Sequence, residues 1–232
     1  MQILVPLIII VFSYLLGAIP FGLIIVKFKT GQDVRSVESG RTGGTNVIRA
    51  AGFWAGAITT FLDGAKGAVA VFFVRLVLPG VTWLEVIAPI MTILGHNYSI
   101  FLIERDDKGG IRLRGGAGGA TCVGGSAGLW LPSLLIVPPI GIFIWYFIGY
   151  ASLATLSVTV ISALLFAYRA WIGASPWGYV FYGIISFFIL AWSLRPNIRR
   201  LIAGNERLVG WRVRNKPKNG GDLIDTSQNV DD

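Results

Sequence analysis

Two glycine-rich polar stretches interrupt a chain that is otherwise strongly apolar. One runs from Asp33 to Arg49 and combines Gly, Ser, Thr, Asn and Arg, and the other runs from Arg112 to Thr121. Glycine tolerates positive φ angles, so backbone N–H groups in such stretches can converge on an anion. A helix that starts directly after the second stretch would add the positive end of its dipole. The pattern is typical of a phosphate-binding site, and tight packing between helices is the alternative explanation.

Arg49, at the end of the first stretch, is a candidate phosphate ligand. Its planar guanidinium can donate two parallel hydrogen bonds to one phosphate, which the point charge of a lysine cannot do. The alternative is that Arg49 anchors the following helix at the membrane surface. Any long cationic side chain is adequate for that role.

Three titratable residues lie inside or at the end of apolar segments. Asp63 and Lys66 are three residues apart and therefore share one face of a helix, which predicts a buried ion pair. Direct contact with a substrate is the alternative for this pair. His96 is the only histidine of the chain, and it is either a packed residue at a helix end or a general base near neutral pH.

The elements that must position these residues are predicted to be transmembrane helices. Of the 232 residues, 54% are hydrophobic and only 14% are charged, and the mean hydropathy is +0.68. A soluble domain of this length needs more charge to cover its surface. The predicted fold class is therefore an all-α polytopic membrane protein.

The apolar segments predict about seven transmembrane helices, since about 20 apolar residues cross the hydrocarbon core. Six segments have or approach that length: residues 3–26, 53–78, 84–103, 119–137, 154–167 and 178–194. A seventh, residues 138–150, is short and begins with Pro138 and Pro139, which break a helix. Without this segment the count is six.

The placement of the basic residues decides between these counts. All lysines and arginines except Lys66, Arg75 and Arg169 lie in the loop 27–50, in the loop 104–118 or after residue 194. The positive-inside rule places all three regions in the cytoplasm. The N-terminus then lies outside and the C-terminus inside, which requires an odd number of spans and favours seven.

The net charge of +8 is mostly this topology signal, although it would also attract anionic lipid or a phosphorylated substrate. No alternation of basic and aromatic residues indicates nucleic acid. Residues 1–211 are predicted to form a single transmembrane domain, and residues 212–232 a polar, disordered cytoplasmic tail. Cys122 is the only cysteine, so no internal disulfide can form, and it is expected to be a small buried residue.

Six segments, in their order along the chain, resemble the acyl-phosphate-dependent glycerol-3-phosphate acyltransferase family of bacteria, the PlsY type. They are YLLGAIPFG at 14–22, ESGRTGGTNVIR at 38–49, LDGAKG at 62–67, GH at 95–96, GGAGGAT at 115–121 and NIRRLIAGNE at 197–206. The second segment resembles the family's first motif, G-S-G-N-x-G-A-T-N-x-x-R. The fifth resembles its loop G-G-K-G-V-A-T, and the sixth resembles its final motif, R-H-R-x-N-I-x-R-L-x-x-G-x-E.

The resemblance implies a seven-helix enzyme of the bacterial inner or plasma membrane that needs no cofactor and no metal. Such enzymes transfer a fatty acyl group from acyl-phosphate to the 1-hydroxyl of glycerol 3-phosphate, giving lysophosphatidic acid for phospholipid synthesis. The expected partners are these two substrates and membrane lipids. Carried over by position, the catalytic residues are Ser39, Arg49 and Asn197. The substrate- and phosphate-binding residues are Gly43, Thr45, Asn46, Gly115, Gly116, Gly118 and Glu206, and Asp63, Lys66 and His96 are structural or further site residues.

Three positions depart from the family's motifs. Ala117 stands where the loop has lysine, Leu194 where the final motif has histidine, and Arg41 where the first motif has asparagine. The first two changes remove a cation and an imidazole from the reaction centre, and Arg41, Arg112 or Arg114 can restore the charge from another direction. A second interpretation is therefore a non-catalytic or altered-substrate relative that binds a phosphorylated metabolite or lipid. A third is a transporter, which the absence of an inverted repeat in the hydropathy disfavours.

Overall fold

The computed structural model describes residues 3–105 and 109–214, which fold into a bundle of helices with one short hairpin. The helices are α1 (Leu4–Ala18), α2 (Phe21–Thr30), α3 (Gly44–Ala51), α4 (Phe53–Val77), α5 (Thr82–Asn97), α6 (Gly119–Leu129), α7 (Val137–Phe143), α8 (Ala151–Trp171), α9 (Gly178–Ile202) and α10 (Trp211–Arg214). The strands are β1 (Ser99–Arg105) and β2 (Ile111–Arg114). Short 3-10 turns lie at Val34–Ser36 and Leu131–Leu135, and a π-helical turn lies at Ile144–Ile148.

Five stretches within the described residues are long and apolar enough to cross a membrane. They are Leu4–Thr30, Phe53–Val77, Leu131–Ile148, Ala151–Trp171 and Gly178–Ile202. The first consists of α1 and α2 with a break at Ile19 and Pro20, because proline cannot donate the helical hydrogen bond. The prediction of a polytopic helical membrane protein is confirmed.

Two predicted spans are wrong as continuous helices. In the segment 84–103, α5 ends at Asn97 after 16 residues, about 24 Å of helix, and the chain continues as β1. β1 pairs with β2 in an antiparallel hairpin, so the expected all-α fold also contains two strands, which include residues 104–105 and 111–114 of the predicted loop 104–118. In the segment 119–137, α6 ends at Leu129, Trp130 takes an extended conformation, and the 3-10 turn Leu131–Leu135 follows.

The short α6 packs directly against α4 through small residues. A Cβ atom on Gly124 would overlap the backbone of Gly64, and one on Gly67 would overlap the backbone of Thr121 and Gly125. Only glycine permits such an approach of two helix backbones, which is a common device between membrane helices. The packing fixes the N-terminal end of α6 beside the middle of α4.

The apolar side chains divide into an interior core and an outer face. The largest core cluster joins α4, α5, α6, α8 and α9 through buried side chains that include Val71, Ile90, Phe166 and Leu190. On the outer face, large apolar side chains are exposed along the long helices; examples are Phe61, Phe72, Phe188 and Trp192. An exposed apolar girdle around a packed core is what a lipid environment requires.

The predicted C-terminal tail lies mostly outside the described residues. Of residues 212–232, only 212–214 are described, and they belong to α10. Lys108, in the predicted cytoplasmic loop, also lies outside the described residues. Just before α10, Leu208 bridges Tyr150 at the start of α8, which folds the chain after α9 back over the bundle end.

Candidate active site

One polar cavity of about 170 Å³ collects residues from segments that are far apart in the sequence. Its walls come from the loop before α3, from α3, α4, the end of α5, the glycine loop with α6, α8 and α9, and from the segment after α9. Of the predicted site residues, all but Lys66, Gly115 and Gly116 line it: Ser39, Gly43, Thr45, Asn46, Arg49, Asp63, His96, Gly118, Asn197 and Glu206. Glycine-rich loops and motif residues thus meet at one place, as the pattern predicted.

The loop from Val34 to Arg41 is held in shape by the side chain of Asn46. The Asn46 Nδ2 donates to the carbonyl oxygens of Val34 (3.0 Å), Val37 (3.0 Å) and Arg41 (2.9 Å), and its Oδ1 accepts from the N–H of Ser39 (3.4 Å). Its polar atoms are therefore committed to the backbone. Asn46 thereby positions Ser39 and Arg41 at the cavity wall.

The same loop contains a strained residue next to Ser39. Glu38 has φ 44°, and it is the one non-glycine residue with positive φ in the described part of the chain. Positive φ costs energy for a residue with a side chain, and such residues cluster at functional sites. The Glu38 carboxylate pairs with Arg207 at 3.0 Å, which ties the loop to the segment after α9.

In the glycine loop before α6, some backbone groups are hydrogen-bonded within the protein and others face the cavity. The N–H of Gly116 donates to the carbonyl oxygen of His96 at 2.9 Å, so it is not free for a ligand. Gly118 takes the left-handed conformation with φ 88° and starts α6, and Gly119 and Ala120 line the cavity after it. The first N–H groups of a helix have no intrahelical acceptor. The part of this loop that faces the cavity is therefore Ala117 to Ala120 rather than Gly115 and Gly116.

Two arginines line the cavity without a carboxylate partner among the described residues. Arg49 donates from Nη2 to the carbonyl oxygen of Leu208 at 3.3 Å. Arg41 donates from Nη1 to the carbonyl oxygen of Gly116 (3.0 Å) and the Oγ of Ser193 (3.2 Å), and from Nη2 to the carbonyl oxygen of Ser193 (2.6 Å). Burial lowers the pKa of both guanidinium groups, yet arginine stays charged. Each is a partly desolvated cation with donors that have no acceptor among the described residues.

Each of the two acidic residues that line the cavity is paired with a cationic side chain. Glu206 is 8% exposed, and its Oε1 accepts from Asn197 Nδ2 at 2.8 Å while its Oε2 accepts from Arg200 Nε at 3.2 Å. Asp63 pairs with Lys66, its Oδ1 lying 2.8 Å from the Nζ. Because the carboxylates are paired and Arg41 and Arg49 are not, the cavity carries a net attraction for anions.

The predicted ion pair between Asp63 and Lys66 is confirmed, and His96 lies beside it. Lys66 does not line the cavity, and it also donates to the carbonyl oxygens of Gly17 (3.2 Å) and Ile19 at the break between α1 and α2. The Nδ1 of His96 lies 3.5 Å from Asp63 Oδ1. The Nε2 of His96 faces Gly116, since a Cβ atom at Gly116 would overlap it.

Sequence reasoning missed several lining residues. Thr60 on α4, Ser152 and Thr155 on α8, and Arg207 after α9 all border the cavity. Ser152 is 1% exposed and its Oγ has no hydrogen-bond partner within the described residues. Ser and Thr residues carry no spacing signal inside an apolar helix, so no pattern in the sequence pointed to α8.

A family model described as glycerol-3-phosphate acyltransferase matches residues 7–204 of the chain. A glycerol-3-phosphate acyltransferase of Rubrobacter xylanophilus is 32% identical over 90% of this chain and 98% of the relative. One from Thermosipho melanesiensis is 38% identical over 84% of this chain and 88% of the relative.

Two solved structures have a similar fold, and both are of PlsY, an integral membrane glycerol 3-phosphate acyltransferase. The glycerol 3-phosphate form aligns with a TM-score of 0.74 and 31% identity, over 90% of this chain and 97% of the other. The lysophosphatidic acid form aligns with a TM-score of 0.71 and 30% identity, over 88% and 95%. The sequence similarity and the fold similarity therefore extend over nearly the whole chain.

Proposed function

This chain belongs to the glycerol-3-phosphate acyltransferase family, and we propose that it transfers a fatty acyl group from acyl-phosphate to glycerol 3-phosphate, giving lysophosphatidic acid. The observation that carries the proposal is the polar cavity, where Arg41 and Arg49 lack carboxylate partners among the described residues. Both substrates of this reaction carry a phosphate, and the cavity offers two separate guanidinium groups. The relatives act on the same acceptor, as their names and the glycerol 3-phosphate form state.

In the proposed reaction, the 1-hydroxyl oxygen of glycerol 3-phosphate attacks the carbonyl carbon of acyl-phosphate. The new carbon–oxygen ester bond forms, the bond between that carbon and the phosphate oxygen breaks, and the electron pair leaves with inorganic phosphate. Acyl-phosphate is already activated, so the protein contributes chiefly position and charge stabilisation. Arg49 binds the acceptor phosphate, and Ser39 lies beside the reacting hydroxyl.

His96 is the residue proposed to take the hydroxyl proton. Arginine cannot act as a base near neutral pH, and Asp63 and Glu206 are held in ion pairs. Asp63 faces the Nδ1 of His96 and so favours the tautomer in which Nε2 can accept a proton. His96→Gln is expected to lower kcat with little change in either KM. The proposed reaction is a direct displacement on an activated acyl donor, so it requires no metal and no cofactor.

The test is a reconstituted transfer assay. Purified protein in detergent or vesicles receives acyl-phosphate and glycerol 3-phosphate, and both lysophosphatidic acid and inorganic phosphate are measured. Equal amounts of the two products are expected, and acyl-coenzyme A in place of acyl-phosphate serves as the control donor. Binding of glycerol 3-phosphate without product from either donor would favour the non-catalytic relative. Product from acyl-coenzyme A alone would show that the donor is assigned wrongly.

The topology is also part of the proposal: seven spans, with the N-terminus outside and the C-terminus inside the bacterial plasma membrane. The five long apolar stretches support a polytopic chain, and α5 with the α6 region supplies the two shorter crossings. With Cys122 replaced by serine, a cysteine introduced at the exposed Arg112 should react with a membrane-impermeant maleimide only in opened cells. Labelling at this position in intact cells would show that the orientation is the opposite of the one proposed.

A further inference from the structure

Arg41 lines the cavity, and its guanidinium group has only uncharged hydrogen-bond partners among the described residues. Its three hydrogen bonds all go to neutral oxygens, two on Ser193 and one on Gly116. They use both Nη1 hydrogens and one Nη2 hydrogen, which leaves the Nε–H and one Nη2–H without an acceptor among the described residues. No carboxylate of the described chain lies within 4 Å of the guanidinium. A cavity-facing cation with spare donors and only neutral partners is a site for an anion.

The position of Arg41 differs from that of Arg49. Arg41 is bonded to the glycine loop before α6 and to α9, whereas Arg49 is bonded to Leu208 in the segment after α9. Arg41 thus contacts segments around α6 and α9, and Arg49 contacts the segment just before α10. The two guanidinium groups are therefore held at different walls of the cavity.

The wall of Arg41 includes the start of α6. Gly116 accepts the Arg41 hydrogen bond, and two residues further Gly118 begins the helix whose first turn lines the cavity. The glycine loop itself contributes no cation, since Ala117 lies between Gly116 and Gly118. Arg41 therefore places a full positive charge next to a helix N-terminus, which carries about half a charge more.

We infer that Arg41 supplies the cation of a second phosphate subsite, distinct from that of Arg49, and that this subsite holds the phosphate of the acyl donor. The inference rests on the proposed function. Two substrates with like-charged phosphates repel each other unless each meets its own cation. As the bond between the acyl carbon and the phosphate oxygen breaks, negative charge grows on the departing phosphate. A guanidinium beside a helix N-terminus stabilises this charge.

The experiment compares Arg41→Gln with the parent in full kinetic analysis. Gln keeps a hydrogen-bond donor but removes the charge. The KM for acyl-phosphate is expected to rise at least ~10-fold, about 1.4 kcal/mol, while the KM for glycerol 3-phosphate changes less than ~2-fold. Arg112→Gln is the matched control, because Arg112 is exposed and does not line the cavity. It should leave both constants unchanged.

A double variant separates charge from structure. Arg41 also joins α9 to the glycine loop, so Arg41→Gln can weaken the fold for that reason alone. Adding Ala117→Lys places a new cation on the same wall without restoring those bonds, and it is expected to return the acyl-phosphate KM to within ~3-fold of the parent. Failure of this rescue together with a lower Tm would assign Arg41 a structural role. A rise in the glycerol 3-phosphate KM alone would place the acceptor at Arg41.

Binding of inorganic phosphate distinguishes failure of this inference from failure of the proposed function. With glycerol 3-phosphate saturating, Arg41→Gln should bind phosphate at least ~10-fold more weakly than the parent, whether or not transfer occurs. Equal phosphate binding by the two proteins would overturn the subsite even if the parent is an active enzyme. A parent that shows no transfer but loses phosphate binding on this substitution would keep the subsite and lose the acyltransferase assignment.

Discussion

Replacement of Lys66 by methionine should strongly destabilise the protein. Lys66 is 2% exposed, and its Nζ contacts Asp63 Oδ1 at 2.8 Å and the carbonyl oxygens of Gly17 and Ile19. Methionine fills a similar volume but leaves the buried Asp63 carboxylate with only His96 at 3.5 Å, and it removes a donor from two backbone carbonyls. Removal of one partner of a buried ion pair lowers the free energy of unfolding by roughly 3–5 kcal/mol.

The double substitution Asp63→Asn/Lys66→Met is the matched comparison, because it removes both charges. No uncompensated charge then remains in the bundle, so the loss should be clearly smaller than in the single variant. For a domain of this size each kcal/mol lowers Tm by about 2–4 °C, so the single variant should melt about 6–20 °C lower.

The protein carries its own reporter for this measurement. Cys122 is the only cysteine and is 0% exposed, so a thiol-reactive fluorogenic dye labels it only when the bundle opens. Heating parent, single and double variants with the dye gives the three Tm values. If single and double variants melt at the same lowered temperature, the ion-pair argument is refuted. If both fold normally but lose activity, the pair acts on substrate rather than on the fold.

The remaining predictions concern the cavity. Arg49→Lys should leave Tm unchanged but raise the KM for glycerol 3-phosphate at least ~10-fold, about 1.4 kcal/mol, since lysine cannot bind phosphate in two parallel bonds; an unchanged KM would mean that Arg49 is only an anchor. Gly116→Ala should lower kcat at least ~10-fold with little change in Tm, because its Cβ would displace the His96 imidazole. Gly115→Ala should instead lower Tm, since its Cβ would overlap backbone carbonyls of His96 and Asn97 that cannot move independently; equal thermal loss in both variants would contradict this distinction.

The sequence by itself determined that the chain is a membrane protein and which family it resembles, and it pointed to ten of the residues that line the cavity. Hydropathy is a sum over local composition, so the long apolar segments at 53–78 and 178–194 were correctly predicted as helices. The spacing of Asp63 and Lys66 was sufficient to predict their ion pair, because helix geometry fixes neighbours three residues apart. The motif residues Ser39, Arg49 and Asn197 were correctly expected to meet.

Only the tertiary structure decided the features that depend on contacts between distant segments. α5 ends at Asn97 because β1 finds its partner in β2, and α6 is short yet stable because its glycines pack on α4; neither partner is visible in a local window. His96, which lies beside this ion pair, comes from a different helix. Arg41 was one of three arginines that the sequence could not rank. The fold alone brings its guanidinium to Gly116 and Ser193, 75 and 152 residues away.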